Sequence, residues 1–494
     1  MAGPLNFRQA AANSGFTLGA KIFMAATVYA THLVLARLYG AELMGTFFIS
    51  VNIITFLGTL ATLGQGNGLL RFAALLQEAG KLQSVGSLLW RSSVTTISLG
   101  LMGAIWVYGG RGVLSRYFHA PLLTMMMPFF ALVLPLIPLT TLFQETLRGL
   151  GRVVQAATSQ FIVMKLAILG LLGLFFLLKP FGAATAPALG LAFFLSVVLT
   201  AFTSLGFLKD YLGHWWTCGI PDRNSWLELR HYSYIILLNS IMVLFMETAD
   251  SLILALFRPP REVAYYGAAL KVASLVALPL LAINAVVPPL MVRLHQQGQL
   301  TDLQHLARTT TRWVYSLALP LCLLFILVSR ELLGFFGAEF AAAHWALIFL
   351  AVGQLINVGV GSVSLLLNMT GNHRTGMKIL GASVLCTLPL MFLLAAALGV
   401  NGLGFATALG YVVVNVAMSM AVWRVLKVKT YPSEVGGLTI LTLAAFFLAL
   451  GLRQASHTGW LEAALIFLAA YLLIFFIFAR KHEDWGFCRS LTAG

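Results

Sequence analysis

The feature that most constrains this chain is a train of apolar runs that recurs from Phe16 to Ala479, each near the roughly 20 residues a helix needs to cross a bilayer. Lipid offers backbone N–H and C=O groups no water to bond, so a spanning segment that pairs them within itself, a helix, is the expected form. The fold class is therefore an all-α polytopic membrane protein. Of its residues 60% are hydrophobic and 10% charged, whereas soluble domains carry about 25% charged residues. The net charge of +15 does not point to nucleic acid, because the charges lie between the runs rather than in one basic patch.

Fourteen spans are expected, at roughly 16–37, 45–69, 92–110, 122–144, 155–178, 184–207, 233–257, 263–291, 313–330, 343–368, 378–398, 402–423, 436–452 and 459–479. With the N-terminus in the cytoplasm, 21 of the 31 basic residues fall in cytoplasmic segments or span ends, 8 fall outside, and Lys165 and Lys271 lie within spans. That bias places both termini in the cytoplasm. The connections are short, and none is long enough to fold into a soluble catalytic domain. The segment 209–232, with Trp215, Trp216 and Trp226 among charges, reads as an amphipathic stretch on the inner interface that joins two halves. Cys218, Cys322, Cys386 and Cys488 show neither a disulfide framework nor a metal spacing. The first run has full span length and no convincing cleavage site, so it is expected to stay as a helix.

The chain resembles itself at an offset of about 220 residues. Leu33-Val34-Leu35-Ala36 recurs as Leu252-Ile253-Leu254-Ala255, and Gly80-Lys81-Leu82 as Gly298-Gln299-Leu300. Arg111-Gly112-Val113-Leu114 recurs as Arg330-Glu331-Leu332-Leu333, and Ala188-Leu189-Gly190 as Ala408-Leu409-Gly410. Each copy holds six spans, an even number, so the copies share an orientation and a pseudo-twofold axis along the membrane normal is expected. The expected parts are a six-helix bundle over 1–208, the linker 209–232, a second bundle over 233–430, and two extra helices with a tail over 431–494. The second span of each copy is interrupted, by Gly64, Gly66 and Gly68 in the first and by Pro288 and Pro289 in the second. Such breaks are tolerated kinks or gates, and bare backbone at that depth must line protein or water.

The motifs ARLYGAELMGTF, LGQGNGLLRFAA, LRGLGR, ADSLILALF, VAYYGAALKVA, INAVVPPLMVRL and LLLNMTGNHRTG occur in this order over nearly the whole chain. It resembles the polysaccharide transport family of the multidrug/oligosaccharidyl-lipid/polysaccharide (MOP) exporter superfamily, most of all the Wzx-type O-antigen or exopolysaccharide flippases. The resemblance implies two six-helix bundles around a cavity that opens alternately to each side. It implies a cargo of undecaprenyl-pyrophosphate-linked oligosaccharide carried from the cytoplasmic to the periplasmic leaflet of a bacterial inner membrane, with coupling to protons or to the membrane potential. Membrane lipids are implied partners, and a polysaccharide polymerase and a chain-length regulator further ones. No nucleic acid, cofactor, metal or catalytic residue is expected.

Glu247 and Asp250 lie three apart in a span and share one helix face. They read either as a titrating pair for ion coupling or as ion-pair partners of Lys271 or Arg37; the family favours an Asp at the position of Asp250. His32 is a proton relay or hydrogen-bonded packing. A pyrophosphate crossing a bilayer needs cations in place of its water, which makes Lys165, Lys271 and Arg37 candidate cavity residues. Arg37 and Lys271 read equally as snorkelling side chains. Arg71, Arg148 and Arg293 sit at cytoplasmic span ends as capture residues or topology anchors, and Glu145 is placed to pair with Arg148 along its helix. Asn52, Gln65, Asn67, Asn239, Asn284 and Asn357 are candidate sugar-contacting amides, and Tyr265 and Tyr266 candidate stacking rings; interhelical packing is the plainer reading.

The rival readings are a lipid II flippase, a MATE-like cation-coupled drug exporter, and a polytopic polymerase or ligase. Two spans beyond the usual twelve argue against the exporter. Short periplasmic connections with no acid–base–nucleophile cluster argue against the enzyme.

Overall fold

The computed structural model describes residues 7–178, 185–212, 223–432, 435–455 and 459–481. Much of the expected interfacial linker, including Trp215 and Trp216, lies outside the described residues. So do Cys218, Lys179 and the tail beyond 481, and, within the described helices, the side chains of Asn239 and Glu247.

Every described element is helical. The first are α1 (Phe7–Val34), α2 (Ala41–Thr62), α3 (Gln65–Glu78), α4 (Leu82–Tyr117), α5 (Leu123–Val133) and α6 (Leu136–Gly149). There follow α7 (Val153–Ala157), α8 (Met164–Leu178), α9 (Thr185–Leu212), α10 (Arg223–Phe257) and α11 (Pro260–Ser274). The remainder are α12 (Leu278–Val286), α13 (Pro288–Gln296), α14 (Leu300–Leu327), α15 (Ser329–Gly334), α16 (His344–Gly359), α17 (Val363–Met369), α18 (His373–Leu426), α19 (Val435–Ala455) and α20 (Trp460–Lys481). Two π-helical stretches interrupt this regularity, Leu35–Tyr39 at the end of α1 and Thr158–Val163 between α7 and α8.

Twelve helical segments among the described residues are long and apolar enough to cross a membrane, so this is a multi-pass membrane protein. The expected count of fourteen differs from twelve at two places. The 54 residues of α18 amount to a rise of about 81 Å, far beyond a hydrocarbon core of about 30 Å; Gly399, at φ 59° and ψ −134°, breaks the helix between the two spans expected there. In α10, the apolar stretch among described residues is the shorter Thr248–Phe257.

The internal repeat is visible in the backbone. At Gly80 and Gly298 (φ 71° and 70°) a helix ends, and Lys81 N–H and Gln299 N–H reach back to the carbonyls of Leu76 and Leu294. At Gly151 and Gly371 (φ 73° and 81°) Arg152 N–H and Asn372 N–H do the same to Leu147 and Leu367, both at 2.8 Å. Each is a Schellman end, which needs a left-handed residue that glycine supplies without strain. The pairs recur at offsets of 218 and 220 residues.

Contacts divide the chain into two compact units. One comprises Met1–Gly267 with Phe392–Val400, and the other Ala268–Met391 with Asn401–Gly494. In the first unit Phe47, Phe130 and Phe193 join α2, α5 and α9, with ring centroids 5.8, 5.8 and 4.9 Å apart. Here α10 packs along α2 and α3, and Arg258, just past its end, donates to Ala396 O at 3.1 Å. In the second unit α14 is central and carries α16, α19 and α20. The two extra helices are fastened to it by an apolar cluster that includes Leu319, Leu323, Phe446 and Phe467. Polar ties add to the cluster: Tyr471 donates to Ser316 O, and Arg453 to Leu327 O and Glu331.

Candidate functional site

The break after α2 is made by two left-handed residues, Leu63 (φ 48°) and Gly64 (φ 71°). A side chain at 64 would overlap the Ser233 carbonyl and stand 2.9 Å from Leu237 N, both on α10. Gly68, one turn on, would carry a Cβ 2.6 Å from Ser233 Oγ. These glycines therefore let α10 approach the broken span closely. The interruption leaves polar backbone at depth, which is tolerated where it lines protein or a cavity.

A cavity is there. It measures about 460 Å³ and is bounded by the end of α2, the start of α3, α6 and α10. Its polar wall includes Thr59, Thr62, Asn67, Thr141, Glu145 and Ser240. Thr59, Thr62 and Thr141 spend their hydroxyl protons on carbonyls of their own helices, a local bond typical of mid-helix Thr. What they turn to the cavity is acceptor capacity, joined by the Asn67 amide and the Glu145 carboxylate. Gly66 keeps its stretch of wall thin, for a Cβ there would meet Glu145 Cγ and Thr141 Cγ2 at 3.5 Å. Beside the break, the buried Gln65 Oε1 has no hydrogen-bond partner.

Glu145 accepts from Arg148 Nη1 at 2.5 Å, and Arg148 Nη2 donates to Gln160 Oε1. The pair is largely withdrawn from solvent, the side chains being 13% and 27% exposed. Gln160 stands on the π-helical stretch Thr158–Val163, a distortion that recurs at functional sites. Arg148 is thus held between Gln160 and the cavity-lining Glu145, and a guanidinium suits carboxylate or phosphoryl oxygens.

The other sequence candidates are dispersed. Lys165, half-buried, follows the π-helical stretch at the start of α8, and Arg37 is exposed in the π-helical stretch that ends α1. The exposed Arg71 lies over the Tyr232 ring, 4.6 Å from its centroid. Lys271 and Arg293 are exposed in the last turns of α11 and α13, and Pro288 and Pro289 open α13. Asp250 is buried; it accepts from Tyr266 Oη at 2.6 Å and from Ser251 N–H at 2.7 Å. Glu247 belongs to α10, with its side chain outside the described residues. His32 Nδ1 lies 2.6 Å from Val28 O and its ring packs on Phe48.

Tyr266 corrects one reading. It is fully buried beside Asp250, so it has no face for a sugar. Of the amides, Asn67 borders the cavity, Asn284 accepts from Ser362, and Asn357 donates to Gln354. Sequence reasoning paired Glu145 with Arg148 but missed its cavity; the available signal was Glu-x-x-Arg in a chain that also carries a glycine-rich break.

Residues 10–295 match the family described as polysaccharide biosynthesis protein, and residues 236–393 match the family described as MatE. Among solved structures, the chain is similar to the lipid II flippase MurJ in an inward closed conformation, at 15% identity and a TM-score of 0.72, with 94% of this chain and 98% of that one covered. It is similar to an inward-facing multidrug resistance MATE family transporter of the MOP superfamily, at 14% identity and a TM-score of 0.70, covering 84% and 98%. A MOP superfamily transporter from Pyrococcus furiosus aligns at 16% identity and a TM-score of 0.57, covering 85% and 95%. No curated protein sequence matches.

Proposed function

This chain belongs to the polysaccharide biosynthesis protein family of the MOP superfamily, and from that premise we propose that it flips a polyprenyl-pyrophosphate-linked oligosaccharide across a bacterial inner membrane. The observation that carries the reading is the cavity at the broken span. Its wall combines hydroxyls and an amide, suited to sugars, with a carboxylate–guanidinium pair beside it, suited to a phosphoryl group. In this reading both termini are cytoplasmic, the glycan and pyrophosphate enter the polar cavity, the polyprenyl tail stays in lipid, and the two bundles alternate in access. Lys165, Lys271, Arg37, Arg71 and Arg293 are further cationic candidates. Glu247, Asp250 and His32 are candidates for ion coupling, and the glycine and proline breaks for gating.

A second reading, transport of lipid II, is favoured by the near-complete coverage of this chain by the MurJ structure. Both cargoes share the lipid pyrophosphate and differ in the glycan. Translocation in proteoliposomes discriminates them. The protein is reconstituted, a polyprenyl-pyrophosphate oligosaccharide or lipid II is supplied in one leaflet, and arrival in the other is followed with and without a proton gradient. Movement of the oligosaccharide lipid is expected. Movement of lipid II alone would replace the first reading by the second, and movement of neither, with active lipid controls, would remove both.

A further inference from the structure

Glu145 and Arg148 sit where an entering anion would compete with a carboxylate. Arg148 Nη1 donates to Glu145 and Nη2 to Gln160; of the pair it is Glu145 that lines the cavity, so a phosphoryl oxygen arriving there competes with Glu145 for the Nη1 edge. Low-dielectric surroundings penalise a carboxylate that has lost its guanidinium partner. We propose that the cavity beside the break is an anion–proton exchange site: a phosphate or pyrophosphate oxygen takes Arg148 from Glu145, and Glu145 takes up one proton from the water of the cavity as it is displaced.

The step balances. One P–O⁻ joins Arg148, one carboxylate becomes a carboxylic acid, and the proton that enters offsets one negative charge of the anion. The protonated Glu145 is then a donor facing Thr141 and the glycan. Release of cargo on the far side reverses the exchange, returns the ion pair and frees the proton.

Among the described residues, the other charged groups on the elements around this pair include Arg111 and Arg116 in the second half of α4, and the Glu247 side chain of α10 lies outside the described residues. Around α6, α5 brings no charged residue. On α3, Arg71 lies over Tyr232 and Glu78 is in the last turn. On α4, Arg91 lies over Trp226, 4.6 Å from its centroid, and Lys81 precedes the helix. Glu42 opens α2 at its far end, Arg152 precedes α7, Lys209 lies near the end of α9, and Glu228, Arg230 and His231 lie in the first turns of α10. The ion pair of Glu145 is with Arg148.

The inference rests on the proposed transport of a pyrophosphate-linked cargo for the source of the anion, and its test is independent of transport. Binding of inorganic pyrophosphate and of geranylgeranyl pyrophosphate to the full chain in nanodiscs is measured by calorimetry, in two buffers of different ionisation enthalpy, across the neutral pH range. The wild type should take up one proton more per anion than Glu145→Gln, and its affinity should fall more steeply with rising pH, by up to about tenfold per unit. Glu145→Gln should bind more tightly at the alkaline end, and Arg148→Gln should lose binding. Because Arg148→Gln leaves a carboxylate unpaired, the double variant Glu145→Gln/Arg148→Gln is the control; it removes both charges and should bind neither probe.

Binding of both probes would assign the site to the phosphoryl group itself, and binding of the isoprenyl probe alone to a lipid-borne one; each supports the exchange. Equal proton uptake by wild type and Glu145→Gln, or undiminished binding by the double variant, overturns it. Exchange with no translocation of a lipid-linked sugar would remove the proposed function and leave the site. Normal translocation by the double variant would do the reverse.

Discussion

The two broken spans occupy the same place in the two repeats and are broken by different means. Between α2 and α3 the chain turns through left-handed Leu63 and Gly64, and Gly64 is pressed against the backbone of α10 at Ser233. Between α12 and α13 the turn residue Val287 has ordinary right-handed angles (φ −77°, ψ −25°), and Pro288 and Pro289 supply the interruption. A proline break is covalent, since the missing N–H and the ring bar continuation of the helix whatever surrounds it. The glycine break is tertiary, held because a neighbouring helix leaves no room for another conformation. The chemistry beside the breaks differs as well. Counting 220 residues from Gly151 to Gly371, Glu145 and Arg148 correspond to Leu365 and Asn368. Leu365 packs against an apolar cluster that includes Met291 and Leu366. One repeat places an ion pair beside a cavity where the other fills the position with packing.

The largest effect should come from closing the tight approach. Gly64→Ala adds a Cβ to a left-handed residue and drives it into the Ser233 carbonyl, and strain plus overpacking of this kind costs on the order of 3 kcal/mol or more. Pro288→Ala forces nothing into occupied space and should leave the melting temperature in detergent close to that of the wild type. Equal melting of the two variants would mean that the first break is no more locked than the second.

The next test makes the first repeat resemble the second. Glu145→Leu alone strands Arg148 and should destabilise the protein by about 2 kcal/mol, less than for a fully buried pair because both side chains keep some solvent. Glu145→Leu with Arg148→Asn copies the second repeat and should recover most of that loss, since replacing a desolvated pair with packing is often neutral. Translocation should stay abolished in the double variant although stability returns. A double variant that is both stable and active would show that the asymmetry between the repeats has no bearing on transport.

The extent to which these features can be read from the sequence follows from their physics. Apart from the span expected over 233–257, which among the described residues is apolar only over Thr248–Phe257, the apolar segments and both interruptions were legible, because apolar length, glycine and proline act locally. The turn in α18 was legible from length alone, as the gap between two expected spans, and Gly399 occupies it. The association of Glu145 with a cavity was not legible, because it depends on α10 returning to α3 through glycines whose neighbours are some 165 residues away in the chain. Gln160 was hidden for another reason: a π-helical stretch shifts which side chains share a face, so regular helical spacing misplaces it. Asp250 is buried and accepts from Tyr266 and Ser251, neutral donors of a kind that charge pairing in the sequence does not reveal.

The smallest expected effect separates docking from capture at the same break. Arg71 belongs to α3 and its guanidinium lies over Tyr232 of α10, so it fastens the two helices that Gly64 and Gly68 bring together. An exposed contact of this type contributes about 0.5–1 kcal/mol. Arg71→Ala should therefore lower the melting temperature slightly, Arg71→Lys less, and Tyr232→Leu by about as much as Arg71→Ala, with Arg71→Ala/Tyr232→Leu showing no further loss. That non-additivity is the signature of a direct contact. A cargo-capturing Arg71 predicts a different pattern. Translocation would fall sharply in Arg71→Ala and survive in Tyr232→Leu, because a free cation still attracts a pyrophosphate when its aromatic partner is gone. If both variants lose stability together and keep translocation within about twofold, less than 0.5 kcal/mol, Arg71 joins the helices at the break, and recognition of the anion is left to Arg148 and the other cationic candidates.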